Sequence, residues 1–173
     1  MSVACLAIGA ASTALPALAQ QAGGEAANEE VKETIGDWSV VCQTVQEQEL
    51  CFLEQVVLNN DGEAMVRMRV RKLPQPQVVG AQTILAEAQF LVPLNTFLPA
   101  EMGLRIDENQ TLRTPYTRCV AIGCFAQPPL SETLVRQLKN GAKAAVIMAI
   151  APGQPSLNAS MSLNGFTAAF DKL

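Results

Sequence analysis

Apolar and polar positions alternate along most of the chain after residue 35, the period-two pattern of half-buried strands. Trp38, Val40 and Cys42 share one side of an extended segment, and Cys51, Leu53 and Val57 recur along a second, 50–58. The polar stretch 43–49 between them reads as a hairpin-like connection. Asn59-Asn60-Asp61-Gly62 is a strong turn signal. The strand predicted after it, 63–72, puts Val66, Met68 and Val70 on one face and Arg67, Arg69 and Arg71 on the other. Residues 80–92 alternate again through Ile84, Ala86, Ala88, Phe90 and Val92. Leu73–Pro76 reads as a loop, and Pro93 and Pro99 bracket a stretch too rich in proline for a central strand. Further strands are predicted at 103–107, turned back by 107–110, and at 111–119, 143–150 and 156–163. Ser131 starts a helix whose apolar face is Leu134, Val135 and Leu138 and whose stop is Gly141. A short helix or turn closes the chain from Gly165. Seven or eight short strands, two short helices and no internal repeat predict a mainly β fold: a single-domain antiparallel β-sandwich or partly open barrel.

Composition divides the chain into three parts. Residues 1–19 are small and apolar, and Ala17-Leu18-Ala19 before Gln20 fits a signal-peptide cleavage site, although no lysine or arginine precedes Lys32. A retained membrane anchor is the alternative for this segment. Residues 20–34 carry Glu25, Glu29, Glu30 and Glu33 among alanine, glycine and glutamine, and read as a flexible acidic spacer, with a short helix at 26–33 as a variant. Residues 35–173 form the β domain. Its hydrophobic content argues against disorder, and a net charge of −4 without a basic block argues against nucleic acid.

Of five cysteines, Cys5 lies in the leader. Cys42, Cys51, Cys119 and Cys124 remain in the domain, and an exported protein should oxidise all four. Three pairings exist, and the local one, Cys42–Cys51 with Cys119–Cys124, is expected. The spacings are not those of zinc knuckles or redox C-x-x-C motifs, so no metal or cofactor is expected. The chain has no histidine, which excludes histidine-dependent nucleophiles and histidine zinc sites. Catalysis would fall to carboxylates, lysine or tyrosine, with Asp37, Glu101 and Asp107 as candidates that no spacing forces together. Trp38, the only tryptophan, reads as a core residue packed on the Cys42–Cys51 bridge. The Arg67, Arg69, Arg71 row is either a solvated face or a contact for an anionic partner.

Gly36-Asp-Trp-Ser-Val-Val-Cys42, Cys51, Gly103-Leu-Arg-Ile-Asp107, Cys119-Val-Ala-Ile-Gly-Cys124 and Leu163-Asn-Gly-Phe166 together resemble the invasion-associated locus B family, over about residues 35–173. The resemblance implies an exported envelope protein, periplasmic or at the outer surface, with a binding or accessory role toward an envelope protein or a host cell. It brings no catalytic residues. The rival functions are an accessory subunit of a membrane complex tethered through residues 1–19, and a periplasmic enzyme working through carboxylates.

Overall fold

The structure, a computed structural model, describes residues 29–173. The expected signal peptide and the first part of the expected spacer lie outside these residues. The strands are β1 (Glu29–Ile35), β2 (Trp38–Val45), β3 (Gln48–Leu58), β4 (Ala64–Val79), β5 (Gln82–Val92), β6 (Met102–Ile106), β7 (Leu112–Thr114), β8 (Tyr116–Val120), β9 (Gly123–Ala126), β10 (Pro129–Ser131), β11 (Lys143–Met148) and β12 (Leu157–Ser162). The helices are α1 (Glu132–Asn140) and α2 (Phe166–Asp171). Every strand pair is antiparallel. The larger sheet runs β1-β2-β3-β4-β5-β9-β8, with β10 continuing beside β5, and the smaller runs β12-β11-β6-β7. Neither sheet closes on itself.

The alternation explains how the sheets meet. Trp38, Val40 and Cys42 of β2, Leu53 of β3, Val66, Met68 and Val70 of β4, and Phe90 and Val92 of β5 all face inward and are buried. Met102, Leu104, Val146, Met148 and Met161 answer from the smaller sheet, in the same core cluster. Val135 and Leu138 of α1 and Phe166 and Phe170 of α2 extend that cluster. Helix α1 starts as expected: the Leu134 N–H donates to the Ser131 hydroxyl at 3.3 Å, and Gly141 ends it.

Three expectations change. The segment 29–34, read as spacer, is edge strand β1, paired with β2 from Glu29 opposite Gln43 to Ile35 opposite Trp38. The connection read at 43–49 shrinks to Gln46 and Glu47, both at positive φ (49° and 65°), because the β2–β3 ladder continues to Val45 opposite Gln48. Leu73–Pro76, read as a loop, is a bulge inside β4, after which the exposed Gln77–Val79 pair again with Gln82–Ile84, of which Ile84 is buried. Strand β1, the short β9 and β10, and the division of the expected 111–119 strand into β7 and β8 raise the strand count above the expected seven or eight.

Both disulfides are local. Cys42–Cys51 and Cys119–Cys124 each join residues directly opposite in a hairpin, at sequence separations of 9 and 5. Removal of chain entropy from the unfolded state is worth about 2.5 kcal/mol for the first and slightly less for the second. Urea unfolding should therefore show the Cys42→Ser, Cys51→Ser variant as the less stable of the two double variants. The reverse order would place the larger effect in native-state packing.

Candidate functional site

The outer face of the larger sheet carries the arginine row. Arg69 lies opposite Glu54, and Arg71 opposite Glu87, so the strand register sets cation against carboxylate. Arg69 is the centre of this cluster. Its Nε donates to Glu54 at 2.6 Å, and its two terminal nitrogens donate to the Glu29 carboxylate at 2.9 and 2.7 Å. The guanidinium also stacks on Phe52, 4.4 Å from the ring centroid. Arg71 donates to Glu87 at 2.8 Å, and Arg67 approaches Glu54 at 3.7 Å. The row, read as either a solvated face or a contact for an anionic partner, thus meets Glu29, Glu54 and Glu87 of its own chain. Nothing in the sequence pattern alone marks these three carboxylates as partners of the row. The signal for Glu54 and Glu87 was the strand register, and Glu29 was hidden in the supposed spacer.

The electrostatics follow the geometry. Burial lowers the Arg69 pKa, but its bonds to Glu29 and Glu54 outweigh that and raise it. The Arg69 bonds hold the Glu29 carboxyl below its ordinary 4.5. A carboxylate depressed on folding contributes stability above its unfolded pKa and loses it as the pH falls through the folded value. Strand β1, which Arg69 straps to the sheet, should therefore lose amide protection, corrected for intrinsic exchange, as the pH drops below about 4.5. Glu29→Gln should abolish this pH dependence. An unchanged acid response in that variant would assign it to another carboxylate.

A groove of about 590 Å³ crosses this face, lined by Gln43, Phe52, Arg69, Arg71, Gln89 and Thr117. A larger one, about 960 Å³, runs between edge strand β7, β10 and the first turn of α1, past Arg113, Thr114, Thr133 and Gln137. Both are open and mix polar with apolar walls.

Trp38 is fully buried, so its ring is closed to ligands. It packs edge-on against Phe166, with centroids 5.0 Å apart and planes at 74°. Its Nε1–H donates to the Ser162 carbonyl at 3.0 Å. Cys42 follows four residues along the same strand, about 13 Å of extended rise away, and belongs to the same core cluster as Trp38. Gln55, also unforeseen, is buried in the same inner-facing phase as Leu53. Its amide donates to the Asp37 and Ser162 carbonyls, both at 2.9 Å, which ties the β1–β2 turn, β3 and β12 together.

Of the candidate catalytic carboxylates, Glu101 and Asp107 are held apart. Glu101 and Asp107 flank β6 at its two ends, about 20 Å apart along an extended strand. Asp107 accepts from the Ala142 N–H at 3.1 Å and the Lys143 N–H at 2.9 Å, a structural use of its carboxylate. Asp37 sits in the β1–β2 turn, where its N–H donates to the Asn164 carbonyl. The Tyr116 hydroxyl is buried without a partner, and burial pushes its pKa up to about 12, far from a base useful near neutrality. Cys42 and Cys51 lie beside Glu49 in a grouping that suggests metal ligands, but their sulfurs are joined to each other.

Two open antiparallel sheets, two hairpin disulfides and a small C-terminal helix on the tryptophan define a disulfide-stapled β domain. The chain belongs to the Invasion associated locus B (IalB) protein family, whose model matches residues 38–173. It is 29% identical over 144 residues to the "Invasion protein B homolog" of Brucella abortus (strain 2308), covering 83% of this chain and 79% of the relative. It is 26% identical to "Invasion protein B" of Bartonella bacilliformis, covering 82% and 73%. The crystal structure of invasion associated protein b from Bartonella henselae superposes with a TM-score of 0.68 at 27% identity, over 81% of this chain and 92% of that one.

Proposed function

We propose that this chain is an exported binding or accessory module of the cell envelope, with no catalysis of its own. The observation that carries the proposal is the closure of all four cysteines of the described domain as disulfides. Such bonds persist in the periplasm and at the cell surface and are rare in the cytoplasm. The family relationship supports the same reading, since relatives named for invasion suggest contact with a protein of the envelope or of a host cell. The separation of Glu101 from Asp107 and the internal pairing of Arg69 and Arg71 fit a scaffold better than a reaction centre.

Purification of the full chain from native envelope, with mass spectrometry of its partners and its N-terminus, tests this. The expected result is a periplasmic protein starting at Gln20, with both disulfides closed and a protein partner retained. A start at Met1 in the membrane fraction would favour the tethered subunit of a membrane complex. Reduced thiols in a cytoplasmic fraction would overturn the proposal.

A further inference from the structure

More than half of the large aliphatic side chains exposed among the described residues gather at one end of the sandwich. Strand register defines that end. Val57 lies opposite Val66, and Val92 opposite Cys124, so the 58–64 turn, the 93–101 connection and the 120–123 turn leave the larger sheet at one level. The Phe97 N–H donates to the Ala149 carbonyl at 2.7 Å, which brings the 149–156 connection of the smaller sheet to the same place. Ile122, at the tip of the Cys119–Cys124 hairpin, is 70% exposed, and Leu94 is 53% exposed. Leu98, Val120, Ile150 and Leu157 are exposed beside them. A soluble protein rarely shows so much aliphatic surface in one place without a use for it.

The charges at this end are one-sided. Residues 57–66, 92–102, 119–124 and 148–157 contain no lysine or arginine, and they contain three acids, Asp61, Glu63 and Glu101. Arginines stand only at its border: Arg113 donates to the Ala100 carbonyl at 3.2 Å, Arg118 stacks over Phe125, and Arg67 approaches Glu54 at 3.7 Å. We infer that this end of the sandwich docks a protein partner whose matching face is apolar and ringed by lysine or arginine. The inference rests on the binding reading above and names its surface. Charge complementarity selects this occupant. An anionic lipid surface would meet the three acids, with no lysine or arginine in the apolar segments themselves to anchor it. A second copy docked through the same end would set the acids against each other, since a two-fold contact is self-complementary. The loops are also pre-organised, one by the Cys119–Cys124 bridge and two by Pro93 and Pro99 and by Pro152 and Pro155, which lowers the ordering cost of binding.

The test uses the full chain and a variant carrying Leu94→Ser, Ile122→Ser and Ile150→Ser. All three positions are exposed, and matching thermal unfolding checks that the variant is folded. The probes are a synthetic amphipathic helix of leucine and lysine, its leucine–glutamate counterpart, and phosphatidylcholine vesicles containing phosphatidylglycerol. The leucine–lysine helix should bind at least about tenfold tighter than its acidic counterpart, and the variant should lose about tenfold. Amide shifts on binding should fall within 93–101, 119–124 and 149–157. Equal binding of both helices, shifts mapped elsewhere, or binding to the vesicles alone would overturn the inference. In native envelope, a photoreactive residue at Ile122 should cross-link a protein, and one at Glu54 on the outer sheet face should not. Cross-linking from Glu54 alone would sink this surface and leave the binding role standing. Cross-linking from neither would sink both.

Discussion

Trp38→Ala should lower the unfolding free energy by about 3–5 kcal/mol, the usual range for emptying a buried large aromatic site. Trp38 is fully buried, and both its edge-on contact with Phe166 and its bond to the Ser162 carbonyl would go. Trp38→Phe should cost less, about 1–2 kcal/mol. It keeps an aromatic ring in the site, and the Ser162 carbonyl still accepts from Gln55. Because Trp38 is the only tryptophan, far-ultraviolet circular dichroism in urea has to follow the transition. A loss under about 1 kcal/mol for Trp38→Ala would mean that α2 collapses into the vacated space.

Gly165→Ala should be the next most damaging single change, at about 2–4 kcal/mol. Gly165 has φ of 88°, and a methyl group there would overlap the Ile35 carbonyl group and the Gly36 Cα. The β1–β2 turn and the turn into α2 press backbone on backbone at this point, and the Asp37 N–H bonds the Asn164 carbonyl beside it. Gly153→Ala is the control. Its φ of 72° imposes similar conformational strain, but nothing lies within reach of its methyl group. It should cost only about 1 kcal/mol. The difference between the two variants, read from urea midpoints at equal slope, isolates the price of forcing the two turns apart. Equal losses would show that strain alone accounts for both.

What was legible in the sequence follows from what leaves a periodic trace. Val66, Met68 and Val70, and Ile84 through Val92, alternate because one face is buried, and the structure buries the same set. Helix α1 was legible from its serine cap and glycine stop. Strand β1 was not, because Glu29–Ile35 is an edge strand exposed along nearly its whole length, with no buried face to impose an apolar period. Its place depends on backbone pairing and on Arg69, a contact 40 residues away. The arginine row was visible, but its neutralisation was not, since that requires knowing which residues stand opposite. Gln55 leaves a trace in the pattern: a polar residue in the buried phase of Cys51, Leu53 and Val57 must find partners indoors. The two glycine motifs, 36–38 and 163–166, lie more than 120 residues apart in the sequence. Only the fold shows that they are the two halves of one contact.

The disulfides also bear on how the chain acquires its covalent form. Neither links one sheet to the other, and each closes a loop contained in a single hairpin. Among the four cysteines of the domain, the shortest mixed pair, Cys51 with Cys119, spans 68 residues. Closing so long a loop costs roughly 2 kcal/mol more chain entropy than closing either hairpin. Random oxidation of the unfolded chain is therefore biased toward the native pairs before any sheet has formed. Each bridge, once closed, pins the register of its hairpin, so the cysteines act as a local template for the strands. Loop length alone therefore favours the native pairing of these four thiols over their mixed pairings.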